Sequence, residues 1–187
     1  MLDLVRPFAF LTIRHPSHLP LWVNWLLPLL VTLAALAAFG WLGNVVNVYG
    51  KDGLLERCLG FTQTLAGFYI AALAAVSSFN SPHLDRVMPS PAPTMFIKYN
   101  CVMQEVPATR RRFLTSMFAY LTAVSFLFSI GAIAVVVLAP ALKQTLGDVA
   151  PHLHWIGLVT FLFVLFQMTC VTFWGLFYLG ERMLTPD

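Results

Sequence analysis

The residues best able to do chemistry in this chain are its histidines, carboxylates and cysteines. His15 and His18 stand three apart, and His152 and His154 two apart. Either pair could begin a metal or haem site, because neutral imidazole is a common ligand. Neither pair has a carboxylate or thiolate at a usual ligand spacing. Neither lies deep in a helical stretch, where a bundle would hold haem. The pairs also fall on opposite sides of a membrane in the topology derived below, so they cannot share an ion. No metal and no other cofactor is expected.

His83 lies close to Asp85, and Glu105 follows in the same loop. These three would be the acid–base residues if the chain were a small membrane enzyme. No nucleophile elbow, no phosphate-binding glycine loop and no Cys–His arrangement accompanies them. No catalytic residue is assigned, and a non-enzymatic role is expected. Cys58, Cys101 and Cys170 form neither an even framework nor a CxxC pair, so no disulfide is expected. Cys58 and Cys170 sit in apolar surroundings, where free cysteine acts as a small hydrophobe.

The elements that carry these residues follow from composition. The 187 residues are 59% hydrophobic and 10% charged, against about 25% charged in an ordinary soluble domain. A chain this short cannot hide so much apolar surface from water. The fold class is therefore an all-α integral membrane protein. Four transmembrane helices are expected at 19–42, 58–80, 113–139 and 155–179, within one membrane domain 1–187. Each apolar stretch exceeds the roughly 20 residues needed to cross about 30 Å of hydrocarbon. The third is expected to end just before Pro140. The stretches are continuously apolar, which argues against a barrel. The segment ahead of the first does not read as a cleavable signal.

Eight of the eleven Lys and Arg residues flank one set of helix ends: Arg6, Arg14, Arg86, Lys98, Arg110, Arg111, Arg112 and Arg182. Lys51, Arg57 and Lys143 flank the other. The positive-inside rule then gives an N-in/C-in orientation. Trp22, Trp25, Trp41, Trp155, Trp174 and Tyr178 sit near the expected boundaries, where amphipathic rings favour the headgroup level. Residues 1–18 form a short N-terminal interfacial segment, with Leu2, Val5, Phe8, Leu11 and Ile13 directed at lipid. Residues 81–112 form a cytoplasmic loop. Pro82, Pro89, Pro91 and Pro93 keep its first half extended or turned. A short helix is expected at 94–105, on the spacing of Met95, Phe96, Tyr99 and Met103.

No Asp, Glu, Lys, Arg or His lies within the apolar stretches. Ion-coupled transporters and voltage sensors rely on such residues, so both classes are disfavoured. The remaining candidates are packing residues. Gly60, Gly67, Ala71 and Ala75 belong to a small-residue stripe on the second helix, which also carries Thr64, Ala74 and Ser78. Such stripes let helix backbones approach closely. Packing within one bundle is the expectation, with self-association as the alternative. Gln63 and Gln167 are expected to hydrogen-bond between helices, and Asn24 to lie near the inner interface in reach of water. Arg110, Arg111 and Arg112 precede the third helix and suit anionic lipid headgroups or an acidic cytoplasmic partner. Three arginines are too small a footprint for nucleic acid.

The expected function is a non-catalytic membrane subunit. It would assemble with copies of itself or with other membrane helices and dock a cytoplasmic partner through its basic loop. A bacterial inner-membrane component of defence, immunity or secretion would have this form. The alternatives are an oligomeric pore and a small membrane enzyme. A tag fused after Asp187 is expected to be reachable from the cytoplasm only, and labelling from outside intact cells would overturn the orientation.

Overall fold

A computed structural model describes residues 2–15, 19–42, 47–48, 52–88, 92–99, 102–146 and 150–182. Of the residues singled out above, His18, Lys51, Pro89, Pro91, Cys101 and Asp187 lie outside the described residues. Four helices are long and apolar enough to cross a membrane: Leu19–Trp41, Leu54–Ser78, Arg110–Ala139 and His152–Gly180. They are called the first to fourth spans, and four such helices support a multi-pass membrane protein.

The first span is not a uniform α-helix. Trp22–Leu26 forms a π turn, and the Leu27 amide bonds back to the Trp22 carbonyl. Pro28 explains it. Proline has no N–H, and its ring clashes with the carbonyl four residues earlier, which here belongs to Asn24. A widened turn relieves that clash. The turn also rotates Asn24 to a position only 2% exposed, with its Oδ1 lacking a protein partner among the described residues. The expected access of water to Asn24 is therefore corrected.

The second span begins at Leu54, ahead of the expected 58, and carries Glu56 in its first turn. Its first amides are satisfied from outside the helix. Leu54 N–H reaches Asn47 O (2.9 Å) and Leu55 N–H reaches Val48 O (3.1 Å). Glu56 accepts from the Asp52 amide at 2.9 Å, and Asp52 itself adopts φ 60°, a left-handed conformation that Asp tolerates better than most residues.

The helix of the third span runs Arg110–Leu146, straight through Pro140. The expected stop at 139 does not occur. Pro140 removes one backbone bond, and the helix continues on both sides of it. Thr109 caps the start, its Oγ1 accepting from the Arg112 amide at 3.3 Å.

The spans pack in the spatial order first, fourth, third, second, as an open bundle. The third is the hub, touching both the second and the fourth. Its buried residues include Phe113, Leu114, Met117, Tyr120 and Leu121. Gly175 of the fourth span leaves space for the Met117 side chain, whose Sδ lies 2.9 Å from where a Cβ would stand. Small residues at such crossings let membrane helices close together.

Residues 94–105 are not a helix. Thr94–Tyr99 (β1) and Val102–Pro107 (β2) form an antiparallel hairpin, with Thr94 opposite Pro107 and Tyr99 opposite Val102. Two residues separate the strands, the length of the tightest hairpin connection. Met95 packs on the core while Phe96 is 38% exposed, so the segment alternates as a strand does. Ile97, Val102 and Val106 add β-branched preference.

The N-terminal segment is a 3-10 helix, Leu2–Thr12. At three residues per turn, Val5, Phe8 and Leu11 form one row and Pro7, Phe10 and Ile13 another. The second row is the buried one: Phe10 is 1% and Ile13 7% exposed, whereas Val5 is 58% exposed. Eleven residues is long for this helix type, and its packing along the third span holds it. Replacing Asn24 by Leu should remove an unpaired buried oxygen and stabilise the protein by about 1 kcal/mol. Thermal melting in detergent measures this, and a lower melting temperature would show that the amide makes a needed bond.

Candidate functional site

The polar and aromatic side chains gather at one end of the spans, where the N-terminal helix, the hairpin and the end of the fourth span meet. Arg14 extends the sheet: its N–H donates to Thr94 O (3.2 Å) and Thr94 N–H donates to Arg14 O (2.9 Å). The Arg14 guanidinium lies 5.5 Å from the centroid of the Phe96 ring, a cation–π contact. Thr94 Oγ1 donates to Glu105 Oε1 at 2.7 Å. Beneath them Phe10 enters an aromatic cluster, stacked on Tyr120 at 5.3 Å and tilted against Phe113 at 6.0 Å. Trp174 meets Phe113 edge-on at 5.3 Å. Aromatic pairs in these geometries contribute beyond their buried area.

Arg111 is the junction of this end. Its Nε donates to Asp85 Oδ1 (2.7 Å) and its Nη2 to Asp85 Oδ2 (3.1 Å). Its Nη1 donates to the Val76 carbonyl at 2.7 Å. Val76 lies in the last turn of the second span, where helical carbonyls lack intrahelical donors. One guanidinium thus ties the end of the second span to the start of the third and to the one-turn helix Pro82–Asp85. Hydrogen bonds from Arg111 hold the Asp85 carboxyl below its ordinary range, against a smaller opposing effect of desolvation.

Deeper in the spans, two side-chain bonds link helices. Tyr120 OH donates to Gln167 Oε1 at 2.7 Å. Tyr69 and Thr172 lie 2.5 Å apart, and the Thr172 hydroxyl donates its one proton to Met168 O. Tyr69 is therefore the donor to Thr172. Neither tyrosine was singled out from sequence, although a tyrosine within a span carries a hydroxyl that must find a partner.

The sequence-derived candidates separate into distinct places. Arg110 is 3% exposed, Arg111 is paired with Asp85, and Arg112 is exposed. Gln167 is buried and bonded, whereas Gln63 is exposed. Gly60, Gly67 and Ala71 are exposed and Ala75 is half-buried. A Cβ added at Gly60 or Gly67 would meet nothing within 4 Å. The second span instead turns Leu55, Thr62, Ala66, Tyr69 and Val76 inward. At about 100° per residue these lie roughly opposite the stripe.

Among the described residues, no three His, Cys, Asp or Glu side chains come together as a metal site. His83, His152 and His154 are exposed, and Cys58 and Cys170 are free thiols. Asp85 and Glu105 are each engaged by a neighbour, Arg111 and Thr94 respectively.

Comparison with known families, with characterised proteins and with solved structures finds no match. The geometry carries the functional reading alone.

Asp85 yields a pH prediction with a definite sign. A carboxylate whose folded pKa is lowered stabilises fully above its unfolded value, about 4, and loses that contribution as pH falls through the folded value. Wild-type melting temperature should fall as pH drops below that range, and Asp85→Asn should lack this component. Parallel melts of the two proteins at falling pH test it. Identical pH profiles would remove the Arg111–Asp85 pair from the account.

Proposed function

We propose that the chain is a non-catalytic membrane subunit that self-associates through the outer face of its second span. The observation that carries this is the uncovered seam Gly60, Thr64, Gly67, Ala71, Ala74 and Ser78, all exposed. Their spacing alternates between four and three residues, so they form one straight seam. It runs down the side of the helix away from the third span. Exposed Phe61 and Phe68 flank it on one side, and Gln63 and Ile70 on the other. A second copy would bring its own seam against this one, with backbones close enough for dispersion contacts to drive association. Gln63 then reaches the amide of its counterpart, which supplies the partner that hydrocarbon does not.

The orientation that goes with this reading is N-in/C-in, in a bacterial inner membrane. Its support is the eight Lys and Arg residues on the hairpin side against three on the other. The hairpin end would then face the cytoplasm, with Arg112 and His83 exposed toward headgroups or a protein partner. Arg110 and Arg111 contribute to the fold, so the basic surface on offer is smaller than the triplet suggests.

The pore and enzyme alternatives gain no comparable observation. Thr62, Thr122, Ser125, Thr160 and Thr169 each donate to their own helix four residues back.

Gly67→Leu, alone or with Gly60→Leu, should convert the assembly to monomers, while Gly40→Leu on the first span should not. Gln63→Leu should weaken association by about 0.6–2 kcal/mol. Energy transfer between labelled copies in vesicles, with mass determination in mild detergent, reads both effects. A wild-type protein that stays monomeric in both would contradict the proposal.

A further inference from the structure

Gln167 is 5% exposed, and only one end of its amide is used. Oε1 accepts from the Tyr120 hydroxyl at 2.7 Å, whereas Nε2 makes no hydrogen bond among the described residues. With the amide turned over, the Tyr120 proton would lose this acceptor, so the bond fixes which end is left over. Gln167 stands midway along the fourth span, His152–Gly180, where hydrocarbon offers its N–H groups nothing. A buried amide donor without an acceptor is costly.

The side chain forms part of the wall of a cleft of about 550 Å³ between the third and fourth spans, a volume within the range of small-molecule sites. Leu127 also borders the cleft and is 59% exposed, so the cleft opens sideways onto lipid. Phe8 meets Tyr120 edge-on at 5.9 Å beside the amide, and Phe128 meets Phe161 at 4.6 Å farther along. All four rings border the cleft. Tyr120 and Phe128 are about 12 Å apart along the helix axis, with Val124 and Val164 on the walls between them.

These walls select a ligand by its chemistry. It carries an acceptor oxygen, because Nε2 can only donate. It is neutral, because no Asp, Glu, Lys, Arg or His borders the cleft among the described residues. Its oxygen lies near the middle of the bilayer, about 15 Å from either headgroup region, a depth at which phospholipid ester carbonyls do not sit. Its body is flat and apolar, since the aromatic pairs at either end of the slot favour packing against a ring.

We propose that this cleft binds a neutral quinone with an apolar tail. One ring carbonyl accepts from Gln167 Nε2, the ring lies between the two aromatic pairs, and the tail leaves past Leu127 into lipid. The site is separate from the second-span seam, and each stands without the other.

The test uses the full chain in phosphatidylcholine vesicles containing an azido-substituted ubiquinone analogue with a decyl tail. After illumination, labelled residues are mapped by mass spectrometry. The expected result is label concentrated on cleft residues such as Val124, Val164 and Gln167. Decylubiquinone should displace it at a mole fraction in the bilayer roughly tenfold lower than decylbenzene, which has the tail and a ring but no oxygen. That comparison uses the wild-type chain, so it does not depend on a variant that folds. Gln167→Leu should lose the cleft label, whereas Gln63→Leu, at an exposed amide of the second span, should keep it. Circular dichroism and gel filtration read retention of the fold. Equal displacement by the two competitors, label spread evenly over the four spans, or cleft label that persists in folded Gln167→Leu would overturn the proposal. Cross-linking of cleft residues to a second protein copy would do the same.

Discussion

In hydrocarbon a polar atom has no water to turn to, and the arrangement of this protein follows from that constraint. The spans contain no charged residue in their interiors, so the demand falls on hydroxyls and amides. Most threonines and serines answer it locally, bonding to a carbonyl one turn back. Tyrosine is too long for that. Tyr69 and Tyr120 reach other helices instead, at Thr172 and Gln167. These two bonds tie the second and third spans to the fourth. Asn24 Oδ1 and Ser129 Oγ stand apart, buried without a protein partner among the described residues, Asn24 being turned inward at the widened turn before Pro28.

The two ends of the bundle behave differently as a result. At the hairpin end, Phe10 wedges among Phe113, Tyr120 and Trp174, and Arg111 binds three elements at once. Toward the far end the third and fourth spans meet through Phe128 and Phe161, whose rings lie 4.6 Å apart. The wedge therefore accounts for the ordered cap at the hairpin end. It also explains why the N-terminal segment packs its Phe10 row on the protein, where an amphipathic reading had directed residues at lipid alone.

The spans were legible in the sequence because length and continuous apolarity decide them, and every one appears near its expected place. Their ends were less so. Pro140 does not stop the third helix, and the second helix starts early because backbone carbonyls from residues 47 and 48 supply its cap. The hairpin was misread because Met95, Phe96, Tyr99 and Met103 fit a helical face as well as a strand. The bridge to Arg14 that extends its sheet is a long-range contact with no local signature. The small residues of the second-span stripe were legible at helical spacing, but that they lie on the exposed side of the helix, away from the packing within the bundle expected of them, was not. That depends on Tyr69 facing inward, and so on Thr172 more than one hundred residues later in the chain. The arginine triplet read as one basic patch divides into a buried, a paired and an exposed residue, because successive helical positions point in different directions.

All of this presumes lipid as the solvent around the spans. Washing cell membranes at high pH strips proteins held by charge or by partners and leaves those threaded through the bilayer. The account predicts that the chain stays in the washed membrane pellet and leaves it only with detergent. Recovery in the aqueous wash, folded and without detergent, would contradict it.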